Sequence, residues 1–344
     1  MYMKNNARKG KILSTTILLA AFFMSCGIAD AQDKDVMSAY QRNMQPLFEK
    51  VANASTDNER YNANELVVQL FDEVLRQENS IYWKWDFGTQ VSVITSSDHQ
   101  FRIITWPVVR DNGEYECFGF VQSYNPKTER FDVYVLNDKS DEIVSSQEVV
   151  LGPENWMGSV YQSLVETKHE GKTYYTLLGW TGCDNLTQRK VIEPICFRAG
   201  SSKPQFGQAL FRREKNLRRV VLEYSRTAMV NVRFDEQIVR TMTNKKVKKK
   251  GRVYNIQEPK EEKVKMILFD EVAPMVPGME GLFQYYAPTG SELAYIFVNG
   301  RWELRDNAQG RMEDQKLNKE FAPLPKTTPA YNMPVDRDRK NKQQ

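Results

Sequence analysis

Histidine is almost absent from this chain: His99 and His169 are two residues in 344. Both lie among polar, turn-forming neighbours. A nucleophile–imidazole device needs a ring held in place, so hydrolase chemistry of that kind has no anchor. Cysteine is scarce too, four residues with no CxxC pair. That removes thiolate zinc sites and dithiol redox motifs. No HExxH, Walker, GxGxxG or EF-hand pattern occurs. Beyond residue 24 no uncharged apolar run approaches the length of a membrane span. A strong charge of one sign is also missing. The formal net charge is +4, and Lys4, Arg8, Lys9 and Lys11, set against Asp30, supply most of it. Without residues 1–31 the balance falls to about +1, too little for a global drive toward nucleic acid.

What is present begins with an address. Residues 1–11 are basic, Ile12 to Met24 is apolar, and Ala29-Asp30-Ala31 places small residues where a signal peptidase reads. This pattern predicts a secretory signal over 1–31 and a mature chain that starts at Gln32. Phe23-Met24-Ser25-Cys26-Gly27 also resembles a lipoprotein box, in which Cys26 is acylated and becomes the first residue. Both routes lead to the periplasm or the outer-membrane surface, and both stay open. An oxidising compartment permits a disulfide. Cys183 and Cys196 flank a loop and the strand after it and form the candidate pair. Cys117, inside an apolar run, reads as a small buried hydrophobe.

Residues 32–79 read as a helical hairpin. Val36, Tyr40, Met44, Leu47 and Phe48 recur at three-and-four spacing, as do Leu66, Leu70, Val74 and Leu75. Asn53 to Asp57 breaks the pattern, with Asp57 and Asn58 as candidate caps. From Ser80 the apolar period drops to two. Tyr82 to Phe87, Val91 to Ile94, Phe101 to Trp106, Tyr115 to Phe120 and Phe131 to Val135 read as strands. Lys172 to Ser225 continues as short β-branched and aromatic runs cut by turn residues. Asn112-Gly113 and Asn299-Gly300 are tight hairpin turns, because Asn and Gly accept the positive φ that such turns demand. Residues 140–158 are irregular, and a domain boundary would fall there. The expected fold is mainly β: an N-terminal helical hairpin, then a large antiparallel sheet, sandwich or open barrel over 80–307. Residues 308–344 are polar and predict a disordered or partner-held tail.

Two groups of residues carry the functional expectations. Within 243–262, Lys245, Lys246, Lys248, Lys249, Lys250 and Arg252 form a basic run on an insertion or an extended hairpin tip. It suits lipid head groups or an acidic polymer, and reads equally as a solvated loop. No aromatics interleave with it, so single-stranded nucleic acid is not its partner. The second group pairs Trp85 and Trp180, as sugar-stacking platforms, with strand-borne acids such as Glu193 and Glu223. Against this, period-two aromatics pack cores, and strand acids pair with cross-strand cations such as Arg189, Lys190, Arg218 and Arg219. Asp184 and Asn185 beside Gly182 could ligate calcium or simply turn the chain. No residue takes a catalytic role, and no cofactor or metal is expected.

Leu177-Leu178-Gly179-Trp180, Arg189-Lys190-Val191-Ile192-Glu193 and Val221-Leu222-Glu223-Tyr224-Ser225 give the stretch 80–305 a further property. It resembles a group of exported β-rich proteins of Gram-negative bacteria. The resemblance implies compartment and β-rich fold, and brings no activity with it. The reading that follows is an exported, non-enzymatic cell-envelope protein binding a partner protein or a cell-surface polymer. The alternative is a carbohydrate-active hydrolase or lectin-like module built on aromatic platforms and carboxylates.

Overall fold

The computed structural model describes residues 34–212, 216–249 and 252–305. The expectations of a signal over 1–31, of an acylated Cys26 and of a tail from 308 fall outside the described residues.

Helix α1 spans 34–53 and helix α2 spans Asp57–Leu75. Their apolar spacing gives each one buried stripe: Met37, Met44, Phe48 and Val51 on α1, and Ala63, Val67, Phe71 and Val74 on α2. The cap of α2 is Thr56, one residue before the pair expected from the sequence. Its hydroxyl accepts the Glu59 N–H at 3.3 Å, while the Glu59 carboxylate takes the Ser55 N–H at 3.2 Å. Asp57 sits inside the first turn instead, where it binds Arg60 at 2.7 Å and the Asp111 N–H at 2.8 Å.

Three antiparallel sheets follow, none closed into a barrel among the described residues. The first runs β1-β2-β3-β4, from β1 (Ser92–Thr95), β2 (Phe101–Val109), β3 (Tyr115–Asn125) and β4 (Arg130–Asn137). The second holds β5 (Val160–His169), β6 (Lys172–Gly182), β7 (Thr187–Phe197), β8 (Pro204–Phe206) and β9 (Val220–Ser225). There β8 and β9 share one edge of β7, at Ile195–Phe197 and Thr187–Ile192 respectively. The third is β10 (Val232–Lys249), β11 (Arg252–Pro274), β12 (Tyr286–Val298) and β13 (Arg301–Arg305), in that order.

Three apolar layers bind these elements together. The helical stripes meet Ile104, Trp106, Val108 and Phe120 on one face of the first sheet. Trp106 is fully buried, and its indole N–H donates to Asn64 on α2 at 2.7 Å. The opposite face, through Phe101, Ile103 and Val121, packs on Tyr161, Leu177 and Val191 of the second sheet. The far side of that sheet, through Val165, Leu178 and Ile192, packs on Ile267, Phe269, Tyr295 and Trp302 of the third. The period-two alternation sends successive residues to opposite faces, so one strand serves two cores. Val191 and Ile192 do this as immediate neighbours.

One expected strand is missing. Residues 83–87 alternate ring and polar group but pair with no strand. Their rings plug the helix–sheet core, where Trp85 stacks on Phe87 at 6.0 Å and meets Phe71 edge-on at 5.9 Å. Backbone satisfaction comes from side chains instead of a ladder. Gln41 of α1 bonds the Trp83 indole and the Asp86 carbonyl, each at 3.1 Å. Buried Arg102 donates to the carbonyls of Ser80, at 2.8 Å, and Trp83, at 2.7 Å. Burial with no acid beside it pushes the Arg102 guanidinium down to about 10.

Candidate functional site

The β10–β11 hairpin is far longer than the sheet it belongs to. Strand β12 pairs with β11 only from Met266 onward, against Ile296. From Glu236↔Lys265 out to Lys249↔Arg252 the two strands have no third partner among the described residues. At about 3.3 Å per residue that is a two-stranded ribbon roughly 40 Å long.

Charge is sorted along the ribbon. Near the sheet, cations and acids neutralise one another: Lys263 lies 3.2 Å from Glu236, Lys260 pairs with Glu262, and Arg240 stands opposite Glu261 in the register. Farther out the acids stop. Lys245, Lys246, Lys248 and Lys249 stand opposite Ile256, Asn255, Val253 and Arg252, with no acid in register. Lys245 reaches back to Glu258 at 2.9 Å, and Lys248 is exposed. Lys250 lies outside the described residues.

The ribbon leaves the body at a definite end. Strand β11 runs antiparallel to β12, so residues before Met266 continue past the end of β12 that carries the Asn299-Gly300 turn. Asn299 has φ 50° and Gly300 φ 77°, the paired positive values that the sequence signal demanded. A Cβ placed on Gly300 would lie 2.9 Å from the His169 ring and 3.5 Å from the Tyr174 hydroxyl. The turn therefore abuts the β5–β6 connection and the head of β6.

A cavity of about 540 Å³ opens at that same end. Its cause is a splay in the second sheet. The β6–β7 register stops at Tyr175↔Ile195, although β6 reaches back to Lys172 and β7 runs on to Phe197. Residues Lys172 and Thr173 stay with β5, and Cys196 and Phe197 go with β8. The backbone groups turned toward the gap have no ladder partner across it. Lys172 and Arg198 stand on its two sides, with the Lys172 ammonium 4.9 Å over the Tyr174 ring. Arg198 is oriented by a bond from its Nε to Gln205 at 3.2 Å. The Cys196 thiol lies between them; burial pushes it up, and the two cations oppose that shift. A larger open groove, about 880 Å³, borders β9, and its Glu223 is held by Arg189 at 2.8 Å.

The other sequence-derived residues are not gathered into one site. Trp85 is only 6% exposed inside the helix–sheet core, so it presents no platform; ring packing won over display. Trp180 is half-buried on β6, with its N–H on Gln188 at 2.9 Å and its ring edge-on to Tyr115. No groove is formed by this pair. The candidate Cys183–Cys196 disulfide is also corrected, because both thiols are free. Cys183 accompanies Thr187 at the start of β7, and Cys196 lies nine residues farther along that strand. At about 3.3 Å per residue the gap is roughly 30 Å, several times what a bridge spans. Asp184 and Asn185 form a turn. Asp184 accepts the N–H groups of Leu186 and Thr187 at 2.7 Å, and Asn185 donates to the Asn112 carbonyl at 2.6 Å. Among the described residues no three acidic, histidine or cysteine side chains converge as a metal site. Glu193 is fully buried, bonded by Arg219 and by the Tyr161 hydroxyl. Both strand acids are thus braced by arginines, Glu193 by Arg219 just before β9 and Glu223 by Arg189 of β7.

No protein-family model, curated protein or solved structure matches this chain. No helix among the described residues is long and apolar enough to cross a membrane.

Proposed function

We propose that this chain is an exported, non-enzymatic binding protein of the cell envelope whose contact element for an anionic cell-surface polymer is the β10–β11 ribbon. The observation that carries this reading is the sorting of charge: beyond the Lys245–Glu258 pair, the register sets Lys246, Lys248 and Lys249 opposite residues that are not acidic. An isolated two-stranded ribbon is marginal in water, and six like charges within the sequence 245–252 repel one another. Both costs are offset when a polyanion lies along it. A rod of about 40 Å suits an extended polymer better than a small molecule. Export rests on the pattern in residues 1–31. The pairing of Glu193 and Glu223 with arginines favours bracing over proton transfer.

The test is retention of the mature full-length chain on polygalacturonate-coated beads against neutral dextran beads, at low and high salt. The charge-removed chain Lys245→Gln/Lys246→Gln/Lys248→Gln/Lys249→Gln is run beside it. Retention on polygalacturonate that falls with salt and with the substitutions is the expected result. Equal retention of both chains, or of both beads, overturns the reading. Mass spectrometry of the mature N-terminus tests export: Gln32 first or acylated Cys26 first supports it, and an intact Met1 in envelope fractions refutes it.

A further inference from the structure

The splay between β6 and β7 is the second feature at the ribbon end, and the buried Phe101 ring meets both sides of it, Tyr175 at 5.1 Å and Phe197 at 5.3 Å. A sheet that only had to close its core would keep Tyr174 opposite Cys196, two residues that would extend an unbroken register. The chain instead diverts β7 to β8 and leaves a gap lined by cations, carboxamides and rings. Lys172 and Arg198 bring two cations, and no acid is among the described lining residues. Two carboxylates lie nearby and both are engaged: Asp98 accepts the Tyr175 hydroxyl, and Glu166, opposite Tyr175 on β5, accepts the N–H and hydroxyl of Ser97. Gln100, Gln205 and Gln208 add carboxamides, which both donate and accept, as vicinal hydroxyl groups require. Tyr124, Tyr174 and Phe197 add ring surface for the C–H face of a pyranose. About 540 Å³ accommodates one or two sugar units, within the range of small-ligand pockets.

We propose that the β6–β7 gap is a binding site for an anionic sugar unit, its charge met by Arg198 and Lys172 and its hydroxyls by Gln205 and Gln208. Arg198 is the specifying group. Its Nε is already fixed on Gln205, so the outer guanidinium nitrogens form a prealigned fork for a carboxylate. Lys172, seated over the Tyr174 ring, acts as a point charge beside it. The unpaired backbone edges of β6 and β7 supply further donors and acceptors where the strands part. The inference deepens the polymer reading by naming the class of unit recognised. It rests on pocket residues only and stands or falls apart from the ribbon.

The probe is digalacturonate, titrated calorimetrically into the mature full-length chain, with the neutral disaccharide lactose and with adenosine monophosphate as comparisons. Digalacturonate is expected to bind at least about tenfold more tightly than either comparison. Arg198→Gln is expected to weaken it by about tenfold or more, and Lys172→Gln by a smaller factor. The ribbon substitutions Lys245→Gln and Lys248→Gln should leave it unchanged, which separates failure of the pocket from failure of the ribbon. In a Cys183→Ser background, Cys196 reports occupancy directly: saturating digalacturonate should slow its alkylation by iodoacetamide several-fold. Equal binding of the neutral sugar overturns the inference, as does tighter binding of the nucleotide. So does a folded Arg198→Gln chain of unchanged affinity, or a Cys196 alkylation rate indifferent to the sugar.

Discussion

Removing Arg219 should damage this protein more than any single surface change, and the structure says by how much. Arg219 and Glu193 are both fully buried in the layer between the first and second sheets. The Arg219 Nε donates to Glu193, Nη1 donates to the carbonyls of Ser146 and Val149, and Nη2 donates to that of Phe206. The second Glu193 oxygen accepts the Tyr161 hydroxyl, which in turn accepts the Trp156 indole N–H at 2.9 Å. Burial and the Glu193 charge together hold the Tyr161 phenol well above its usual range, so it stays a donor. Arg219→Met keeps the volume but strands a dry carboxylate and the carbonyls of Ser146 and Val149, while that of Phe206 keeps the Leu151 N–H at 2.9 Å. Breaking a buried pair from one side costs about 3–5 kcal/mol, and the orphaned carbonyls put this case at the upper end, about 5 kcal/mol. Glu193→Gln is the milder cut. It keeps an acceptor for Tyr161 and leaves the guanidinium three carbonyl partners, for about 2–3 kcal/mol. The double variant Glu193→Gln/Arg219→Met should lose less than the sum, because neither charge is then left alone. In urea unfolding followed by tryptophan fluorescence, a slope of about 3 kcal/mol/M puts the Arg219→Met midpoint about 1.7 M below that of the parent. Hydrogen exchange should also open in residues 146–149, which the guanidinium pins. An Arg219→Met chain within about 1 kcal/mol of the parent would refute this reasoning, as would a Glu193→Gln chain that is the less stable of the two.

Two further outcomes follow from named contacts. Asn64→Leu takes the acceptor from the buried Trp106 N–H and should cost about 1–3 kcal/mol; adding Trp106→Phe should restore part of it in the same urea assay, and no restoration would count against the bond. The thiols of Cys117 and Cys183 should both resist alkylation in the folded chain. Partial burial pushes Cys183 up to about 11, which leaves about one thiolate in a thousand at pH 8, so its labelling should quicken with each step in pH toward 11 and jump on unfolding; labelling at the rate of a free thiol at pH 8 would contradict that upward shift.

The parts of this molecule that were legible in its sequence are those decided by neighbours in the chain. Asn299-Gly300 needed only its own two φ angles, and the helical stripes needed only three-and-four spacing. The stretch 83–87 shows where that logic ends. Its alternation equals that of a strand, yet whether a partner edge lies alongside is settled elsewhere, and here Gln41 and Arg102 take the backbone instead. The same limit moved Cys196 away from Cys183: no local signal told that β7 would run straight for eleven residues. The ribbon's lysines were conspicuous because charge is a property of composition. The β6–β7 gap was not, since it arises from where a register stops, and Lys172 and Arg198 stand 26 positions apart with nothing in either neighbourhood to join them. What unites the two features is direction. The antiparallel register of β11 on β12 sends the ribbon past the same end at which β6 and β7 part, so the lysines and an opening lined by two cations belong to one end of the three-sheet body.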